Sequence, residues 1–429
     1  FFDDYANTIL VGSTMRPLAD KYRVAREKLA YVVDSTAAPV AGVSILSTWI
    51  AFEVSTFSAQ LPDAGLGPNQ GYAIFLQTLP YRFYCWFTLM FVGMVVVSGR
   101  DFGPMLKAER RARGGKILRD GAVPLVGKAA TELEAKDGID PRAATALVPL
   151  AVFILVTLGS IIVAGCEGLG AFAEAGTTKA KEFALLSPLE VATGILYEGS
   201  GEKPLMYGAI AGFLVAAVMA LMRGLRPADI GASALNSLRA MGVAVVILYL
   251  AWMVGQVCED LSTAAYLSAT LTEAIPFMVL PVILFLLAGL IAFSTGSSWS
   301  TMTILLPLVI GLSYDIGFAG TPPGMDQRAF GLMLMVISIG SVLEGAIFGD
   351  HCSPLSDTTV MSSIACASDH VDHVRTQAPY AILTMAVALG VGYLPVTFFG
   401  VSPWITLIAG GVLMALILRM KGKRVEEPS

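Results

Sequence analysis

"FGDHCSPLSDTT", residues 348–359, ends a long apolar stretch with side chains that a membrane helix rarely carries together. Asp350 and Asp357 are carboxylates, and His351 is an imidazole. Pro354 removes a backbone N–H, which favours a helix break. Four hydroxyls accompany them, on Ser353, Ser356, Thr358 and Thr359. Because a charge at membrane depth is costly and marks a functional site by default, we expect an interrupted helix that forms a binding site.

The composition around this stretch is that of a membrane protein. The chain has 429 residues, of which 55% are hydrophobic and 14% are charged, and its mean hydropathy is +0.71. Soluble domains usually carry about 25% charged residues. The fold class is therefore predicted as all-α and polytopic. A net charge of -5 gives no indication of nucleic-acid binding, and the five cysteines form no C-x-x-C pair that would indicate zinc or redox chemistry.

Several windows are long and apolar enough to cross a bilayer, which takes about 20 helical residues. Three of them have no charged residue: 146–165, 204–222 and 240–258. Residues 274–314 are also uncharged but span about twice the membrane thickness. They must form two passes or a re-entrant hairpin around "FSTGSSWST" (293–301). Residues 376–418 break at "FFGVSP" and predict an ordinary two-helix hairpin.

A few charged residues lie inside otherwise apolar windows. Asp34 and Glu53 interrupt 30–59, and Glu344 interrupts 329–349. We expect Glu53 to lie near the outer interface. Glu344 either joins the binding site or pairs with a basic group. Arg82, which precedes the uncharged window 83–98, is the clearest basic residue close to a span.

Three stretches rich in Gly, Ser, Thr, Asn or Asp compete with helical hydrogen bonding at membrane depth. They are "FDDYANTILVGST" (2–14), "STGSSWST" (294–301) and the opening quotation. Irregular backbone there must be surrounded by protein or a water-filled cavity. Carboxylate, hydroxyl and carbonyl oxygens suit a hard cation, so Na⁺ is placed at Asp350 and Asp357. The other candidate ligands are His351, Ser353, Ser356, Thr358, Asp3, Asp4, Asn7, Thr8, Ser294, Thr295, Ser297 and Ser298.

Alternative roles apply to some of these residues. Asp357 is as well suited to capping a helix as to binding an ion. Trp299 is expected to pack rather than to bind. His370 and His373 fall on one helical face, but H-x-x-H without a third ligand is a weak zinc signal. Hydrogen bonding or pH sensing is the expected role of these two histidines.

Two segments share an order of features that indicates an internal repeat. Residues 2–59 and 348–400 each begin with an Asp-containing polar stretch, continue through a charged turn and enter an apolar helix through an Ala-Pro element. Paired interrupted segments are the best sequence indication of a transporter binding site. The chain opens on Phe1 rather than Met, and a repeat partner for 294–301 would lie upstream of it. We therefore expect that N-terminal helices precede this sequence.

The three polar motifs together resemble the signature regions of NhaC-type Na⁺/H⁺ antiporters of the ion-transporter superfamily. That resemblance implies two repeats, each with a re-entrant hairpin and a broken helix, here a hairpin at 276–312 and broken helices at 2–14 and 340–362. The organisation is predicted to run from the end of a first repeat to a cytoplasmic tail. Its parts are 1–98 (first repeat), 99–145 (a basic cytoplasmic loop), 146–258 (scaffold helices), 259–420 (second repeat) and 421–429 (tail).

The expected function is exchange of Na⁺ for H⁺ across the cell (inner) membrane by alternating access. The expected partners are the lipid bilayer, Na⁺ and protons, no cofactor is implied, and a homodimer is left open. The first alternative is a Na⁺-coupled carrier of a small organic acid or amino acid. Two further alternatives are a channel and an intramembrane metalloenzyme using the three histidines. The chain is predicted not to be an enzyme.

Overall fold

The computed structural model describes residues 4–45, 47–67, 70–124, 144–174, 177–186, 202–236 and 276–425, with a few single positions between these ranges. The predicted span 240–258 (apart from position 253), most of the loop after residue 124, and Asp3 lie outside them. The chain forms two compact units. One comprises Phe1–Leu66, Ile74–Glu132 and Leu250–Ser429, and the other comprises Gly67–Ala73 and Leu133–Tyr249.

Helices make up nearly all of the described structure. In chain order they are α1 (Asp4–Lys21), α2 (Arg26–Ser35), α3 (Ala38–Val43), α4 (Thr48–Ser58), α5 (Gly71–Thr78), α6 (Phe83–Ser98), α7 (Gly103–Arg113), α8 (Ala144–Gly168), α9 (Thr178–Leu185), α10 (Glu202–Met222), α11 (Leu280–Thr295), α12 (Ser298–Ala319), α13 (Gln327–Cys352), α14 (Asp357–Ala365), α15 (His370–Val387), α16 (Leu394–Phe399) and α17 (Pro403–Lys421). Two short strands, β1 (Arg100–Asp101) and β2 (Lys423–Arg424), pair in antiparallel fashion.

Several helices are long and apolar enough to cross a membrane. Within the described ranges there are five of them: Leu147–Gly168, Ser298–Ala319, Gln327–Cys352, His370–Phe399 and Pro403–Lys421. A sixth candidate is the pair Gly71–Tyr81 and Phe83–Ser98, which bends by 50° at Arg82. The chain is an all-α, multi-pass membrane protein, as its composition predicts. The bend at Arg82 was not predicted from the sequence.

Helices α11 and α12 form a hairpin where one was predicted, but α12 continues to Ala319 and is long enough to cross a membrane. The two helices meet at Gly296, whose φ of +70° favours glycine, and Ser297 caps α12. A Cβ atom at Gly296 would lie 2.5 Å from the carbonyl oxygen of Leu355. The hairpin turn therefore packs directly against the segment between α13 and α14.

Glycines also bring α11 and α13 into close contact. A Cβ atom at Gly345 would lie 2.2 Å from the Phe285 carbonyl oxygen, and one at Gly349 would lie 2.1 Å from that of Gly289. Small residues four positions apart let membrane helices approach each other closely. This contact fixes α13, and with it Asp350, against the hairpin.

The helix break predicted within 340–362 lies at residues 353–356, between α13 and α14. The break predicted at 2–14 is wrong for the described residues 4–14, which belong to the continuous helix α1. The hydroxyls of Thr8, Ser13 and Thr14 donate to carbonyl oxygens four residues earlier, at 2.8, 2.6 and 2.5 Å. Because these hydroxyls bond within the helix, they do not interrupt it.

The two segments paired by the repeat prediction contain the same local arrangement. Helix α1 turns into α2, and α14 turns into α15. Each turn contains a residue with left-handed φ two positions before the N-cap: Arg23 at 54° and Ala367 at 49°. These are the non-glycine residues with positive φ in the described part of the chain. Apolar side chains from both arrangements form one core cluster, which includes Ala19, Leu29, Ala30, Val33 and Cys366.

Residues 100–124, here termed the connecting segment, contact the beginnings of both α2 and α15. Glu109 accepts a hydrogen bond from the Ala25 backbone N–H at 2.8 Å. The Val123 N–H donates to Asp369, the N-cap of α15, at 2.8 Å. Burial raises the pKa of Glu109. Burial also acts to raise the pKa of Asp369, but hydrogen bonds from backbone N–H groups, with that of Val123 the strongest, outweigh it and lower the pKa.

Candidate functional site

Four acidic side chains interact electrostatically where α1, α2 and the α13–α14 break meet. Asp4, Asp34 and Asp350 are buried, and Asp357 is partly buried. The charges of Asp357, Asp34 and Asp4 all act on Asp350. These four residues are referred to below as the aspartate cluster. The break places two of them because α13 ends just after Asp350 and α14 begins at Asp357.

Asp350 accepts a hydrogen bond from the first of two linked hydroxyls. Its Oδ2 accepts a hydrogen bond from Thr358 Oγ1 at 3.2 Å, and that hydroxyl is 3.0 Å from Ser356 Oγ. Its Oδ1 is buried and has no hydrogen-bond partner among the described residues. A buried carboxylate oxygen in this state is costly unless a proton or a cation satisfies it.

Asp357 accepts a hydrogen bond from the Tyr5 hydroxyl of α1. It is the first residue of α14, and its Oδ1 also accepts from the Thr358 N–H at 2.7 Å. The N-cap of α14 is Ser356, whose hydroxyl accepts from the Thr359 N–H at 3.3 Å. The capping role considered for Asp357 therefore belongs to its neighbour.

Asp34 was not among the candidate ligands, yet it occupies the same site. It accepts hydrogen bonds from Gln377 Nε2 at 2.6 Å, Thr359 Oγ1 at 3.1 Å and Ser362 Oγ at 3.3 Å. The argument applied to Asp350 would have found it, because Asp34 interrupts an apolar window in the same way. Tyr5 and Gln377 gave no such signal, because neither side chain is charged at neutral pH.

All three histidines make hydrogen bonds near the break. His351 Nε2 is 3.0 Å from Ser35 Oγ and its Nδ1 is 2.7 Å from the Tyr84 hydroxyl. His370 and His373 share Ser363 Oγ, at 3.0 and 2.9 Å. In the described ranges no three His, Cys, Asp or Glu side chains gather in a way that could hold a metal ion.

The remaining candidates from the second repeat support the backbone around the cluster. Ser353 donates to the Phe293 carbonyl oxygen at 2.7 Å and thereby joins the break to the hairpin. Ser294 and Thr295 are exposed and donate to carbonyls of their own helix. Ser297 caps α12 by accepting from the Ser300 N–H, and Ser298 is buried beside it.

The candidate ligands on α1 also include both a cluster residue and residues that only support the backbone. Asp4 belongs to the cluster, and Thr8 donates to the Asp4 carbonyl oxygen. Asn7 donates to the Thr36 carbonyl oxygen at 3.3 Å, which links α1 to the end of α2. Asp3 lies outside the described residues.

A second group of buried charges lies at the bend between α5 and α6. Arg82 Nη2 donates to both carboxylate oxygens of Glu53, at 3.0 and 2.8 Å. Arg82 Nε is 3.7 Å from Glu344 Oε1. All three side chains are fully buried. Glu53 is therefore paired inside the protein, and Glu344 pairs with a basic group, the second of its two expected roles.

The two groups differ in charge balance. Asp34, Asp350 and Asp357 accept hydrogen bonds from hydroxyls, from a backbone N–H and from the Gln377 amide. The nearest ring nitrogen of His373 is 4.0 Å from Asp34. In the described part of the chain, no lysine or arginine forms an ion pair with these three aspartates. Such a site can take up a cation or protons, because ionised carboxylates at this depth need compensation.

A family model described as "Na+/H+ antiporter family" matches residues 40–401. The chain belongs to this family. A protein of Haemophilus influenzae described as uncharacterized is 31% identical over 93% of the chain and 69% of its own length. The "Malate-2H(+)/Na(+)-lactate antiporter" of Bacillus subtilis is 33% identical over 26% of the chain and 22% of its own length.

The "Na(+)/H(+) antiporter NhaC" of Alkalihalophilus pseudofirmus is 32% identical over 25% of the chain and 21% of its own length. No solved structure matches the chain. Family membership and the apolar helices together make it a multi-pass membrane antiporter. The NhaC-type resemblance noted from the polar motifs is thereby confirmed.

Proposed function

We propose that this antiporter exchanges Na⁺ for H⁺ at the aspartate cluster, across the cell (inner) membrane. The carrying observation is that Asp34, Asp350 and Asp357 interact electrostatically beside a helix break and accept hydrogen bonds from neutral donors, so that the ion can be held by a carboxylate together with nearby hydroxyl and carbonyl oxygens. Carboxylates and hydroxyls are the oxygen ligands that a hard cation prefers. The same carboxylates bind protons when the cation is absent, so the two cargoes exclude each other.

Coupling follows from that competition. With the site open to one side, Na⁺ binds the ionised carboxylates and displaces protons; with the site open to the other side, protons displace Na⁺. Thr358 and Gln377 help to satisfy the carboxylates in the ionised state, because both donate hydrogen bonds to them. The break at residues 353–356 places the two carboxylates on separate helices, so they can adjust separately.

The alternative cargo is a small organic acid or amino acid, and one relative is named for malate and lactate. An organic carboxylate needs a cationic or N–H-rich partner. Arg82 is buried between Glu53 and Glu344, and these two carboxylates would repel an organic anion, although Nε and Nη1 of Arg82 make no hydrogen bond among the described residues. This observation favours bare Na⁺ as the cargo of the aspartate cluster.

The test uses the full-length protein in proteoliposomes that contain a pH-sensitive dye. With the interior acidified, we expect external NaCl to make the interior alkaline and KCl to have a much smaller effect. Asp350→Asn removes the charge with little change in shape and should reduce the Na⁺ response at least tenfold. Asp326→Asn is the matched control, because Asp326 is exposed and only caps α13, a role that Asn fills equally well.

Two results would overturn the proposal. One is a Na⁺ response in Asp350→Asn equal to that of the control variant. The other is a wild-type response that appears only when malate, lactate or an amino acid is added, which would make the protein a Na⁺-coupled carrier of that solute.

A further inference from the structure

The triad of Arg82, Glu53 and Glu344 has an unbalanced charge. Arg82 carries one positive charge at any physiological pH. The two glutamates would carry two negative charges if both were ionised, which leaves a net charge of -1 in a fully buried position. Burying an uncompensated charge is far more costly than burying a neutral ion pair. One further positive charge is therefore required near these three side chains.

The geometry indicates which glutamate needs it. Glu53 is close to Arg82, since both of its oxygens accept from Nη2 within 3.0 Å. Glu344 is farther away, at 3.7 Å from Nε, and its Oε1 has no hydrogen-bond partner among the described residues. Its Oε2 accepts from the Cys85 N–H in the first turn of α6, at 2.6 Å. Glu344 is thus the carboxylate that Arg82 compensates less completely.

Among the residues that the structure describes, four charged or titratable groups face Glu344. They are Arg82, Glu53, the Cys85 thiol and the Tyr393 hydroxyl, which donates to the Tyr81 carbonyl oxygen. Sodium would need several oxygen ligands in a space that already holds a guanidinium ion, which repels cations. A proton needs one carboxylate oxygen. Because the described residues supply no second cation beside the triad, a proton is the positive charge that fits there.

We infer that the triad is a second proton-binding site, at which one proton is held by Glu344 together with Glu53. Glu344 and Asp350 lie on the same helix, α13, about 9 Å apart along its axis. A change of charge at the aspartate cluster therefore acts electrostatically on Glu344. If the proposed exchange is correct, the triad proton is exchanged along with those of the cluster, and more protons move for each Na⁺.

The binding site itself can be tested without any transport. Infrared difference spectra between wild type and Glu344→Gln, recorded for the purified full-length protein across a pH series, report the carbonyl band of a protonated carboxyl group. We expect this band in wild type and its loss in the variant. Glu53→Gln should also remove it, because Arg82 then compensates Glu344 alone. Glu174→Gln, at an exposed position, is the matched control and should leave the band unchanged.

The inference is overturned if the wild-type spectrum contains no protonated-carboxyl band from Glu344 or Glu53 at any pH at which the protein is folded. This result is independent of whether Na⁺ is transported. In proteoliposomes, the H⁺-to-Na⁺ ratio from zero-flux gradients should fall in Glu344→Gln and remain unchanged in Glu174→Gln. A ratio unchanged in Glu344→Gln would show that the triad proton is static and is not exchanged.

Discussion

Asp34 on α2 and Gln377 on α15 are joined by a 2.6 Å hydrogen bond across 343 residues of sequence. The same amide nitrogen is 2.5 Å from the carbonyl oxygen of His351, one residue after Asp350. Gln377 therefore connects a carboxylate of the first helix pair to the end of α13. It lies where the two segments predicted as repeats meet.

Replacement of Gln377 by Ala should weaken Na⁺ binding. A hydrogen bond to a charged group contributes about 1.5–3 kcal/mol. Without the amide, protons compete more effectively for Asp34, and we expect the Na⁺ concentration for half-maximal exchange at neutral pH to rise about tenfold. Dye-loaded proteoliposomes give this value directly. Gln327→Ala, at the exposed start of α13, is the control; equal values for the two variants would show that the amide contributes nothing to ion binding.

Gly296 should tolerate no side chain. Alanine there would combine a left-handed backbone, which costs about 1–2 kcal/mol, with a Cβ atom 2.5 Å from the Leu355 carbonyl oxygen. Gly400 has a similar φ of +63° but no atom within 4 Å of its Cβ position. We expect Gly296→Ala to lower the melting temperature markedly more than Gly400→Ala does. Similar melting temperatures would mean that the hairpin turn does not pack on the break.

Asp369 should stabilise the fold in a pH-dependent way. Its pKa is lowered in the folded protein, so its contribution is present above the unfolded value of about 3.9 and is lost as the pH falls through the lower folded value. Asp369→Ala also removes the cap of α15 and should cost about 1–2 kcal/mol at neutral pH.

Thermal unfolding between pH 8 and pH 3 measures this effect. The difference between wild type and Asp369→Ala should be constant from pH 8 to about pH 5 and shrink below about pH 4. Asp120→Ala serves as the control, because Asp120 is exposed and pairs only with Lys116 in the described structure. A difference that grows on acidification would contradict the assigned role.

The sequence predicted those features that depend on local chemistry. Pro354 and its neighbouring Ser and Asp residues interrupt α13 because they lack or compete with helical hydrogen bonds. Gly296 and Ser297 likewise end one helix and begin the next. The same residue types failed to predict α1, because Thr8, Ser13 and Thr14 can also bond back to helical carbonyls. Whether a hydroxyl breaks a helix depends on whether the surrounding protein offers it a better partner.

Other features depend on contacts between distant segments. Glu53 on α4 and Arg82, at the 50° bend between α5 and α6, form a buried pair. No local pattern at Arg82 indicated that bend. Tyr5 contacts Asp357 because α1 packs along α14. Nothing in the sequence around either residue indicates this contact. Asp34 is different, because the sequence shows it as a single charge in an apolar window. The argument already applied to Asp350 would have identified it as a site residue.

The connecting segment holds the start of α2 through Glu109 and the start of α15 through Val123. Both helices run from these attachments towards the same carboxylate, Asp34, which α2 carries and α15 contacts through Gln377. Tilting either helix alone would strain the attachment of the other. The connecting segment, which is the described part of the loop predicted at 99–145, is therefore attached to both helices, and the two sides of the aspartate cluster are linked at their far ends.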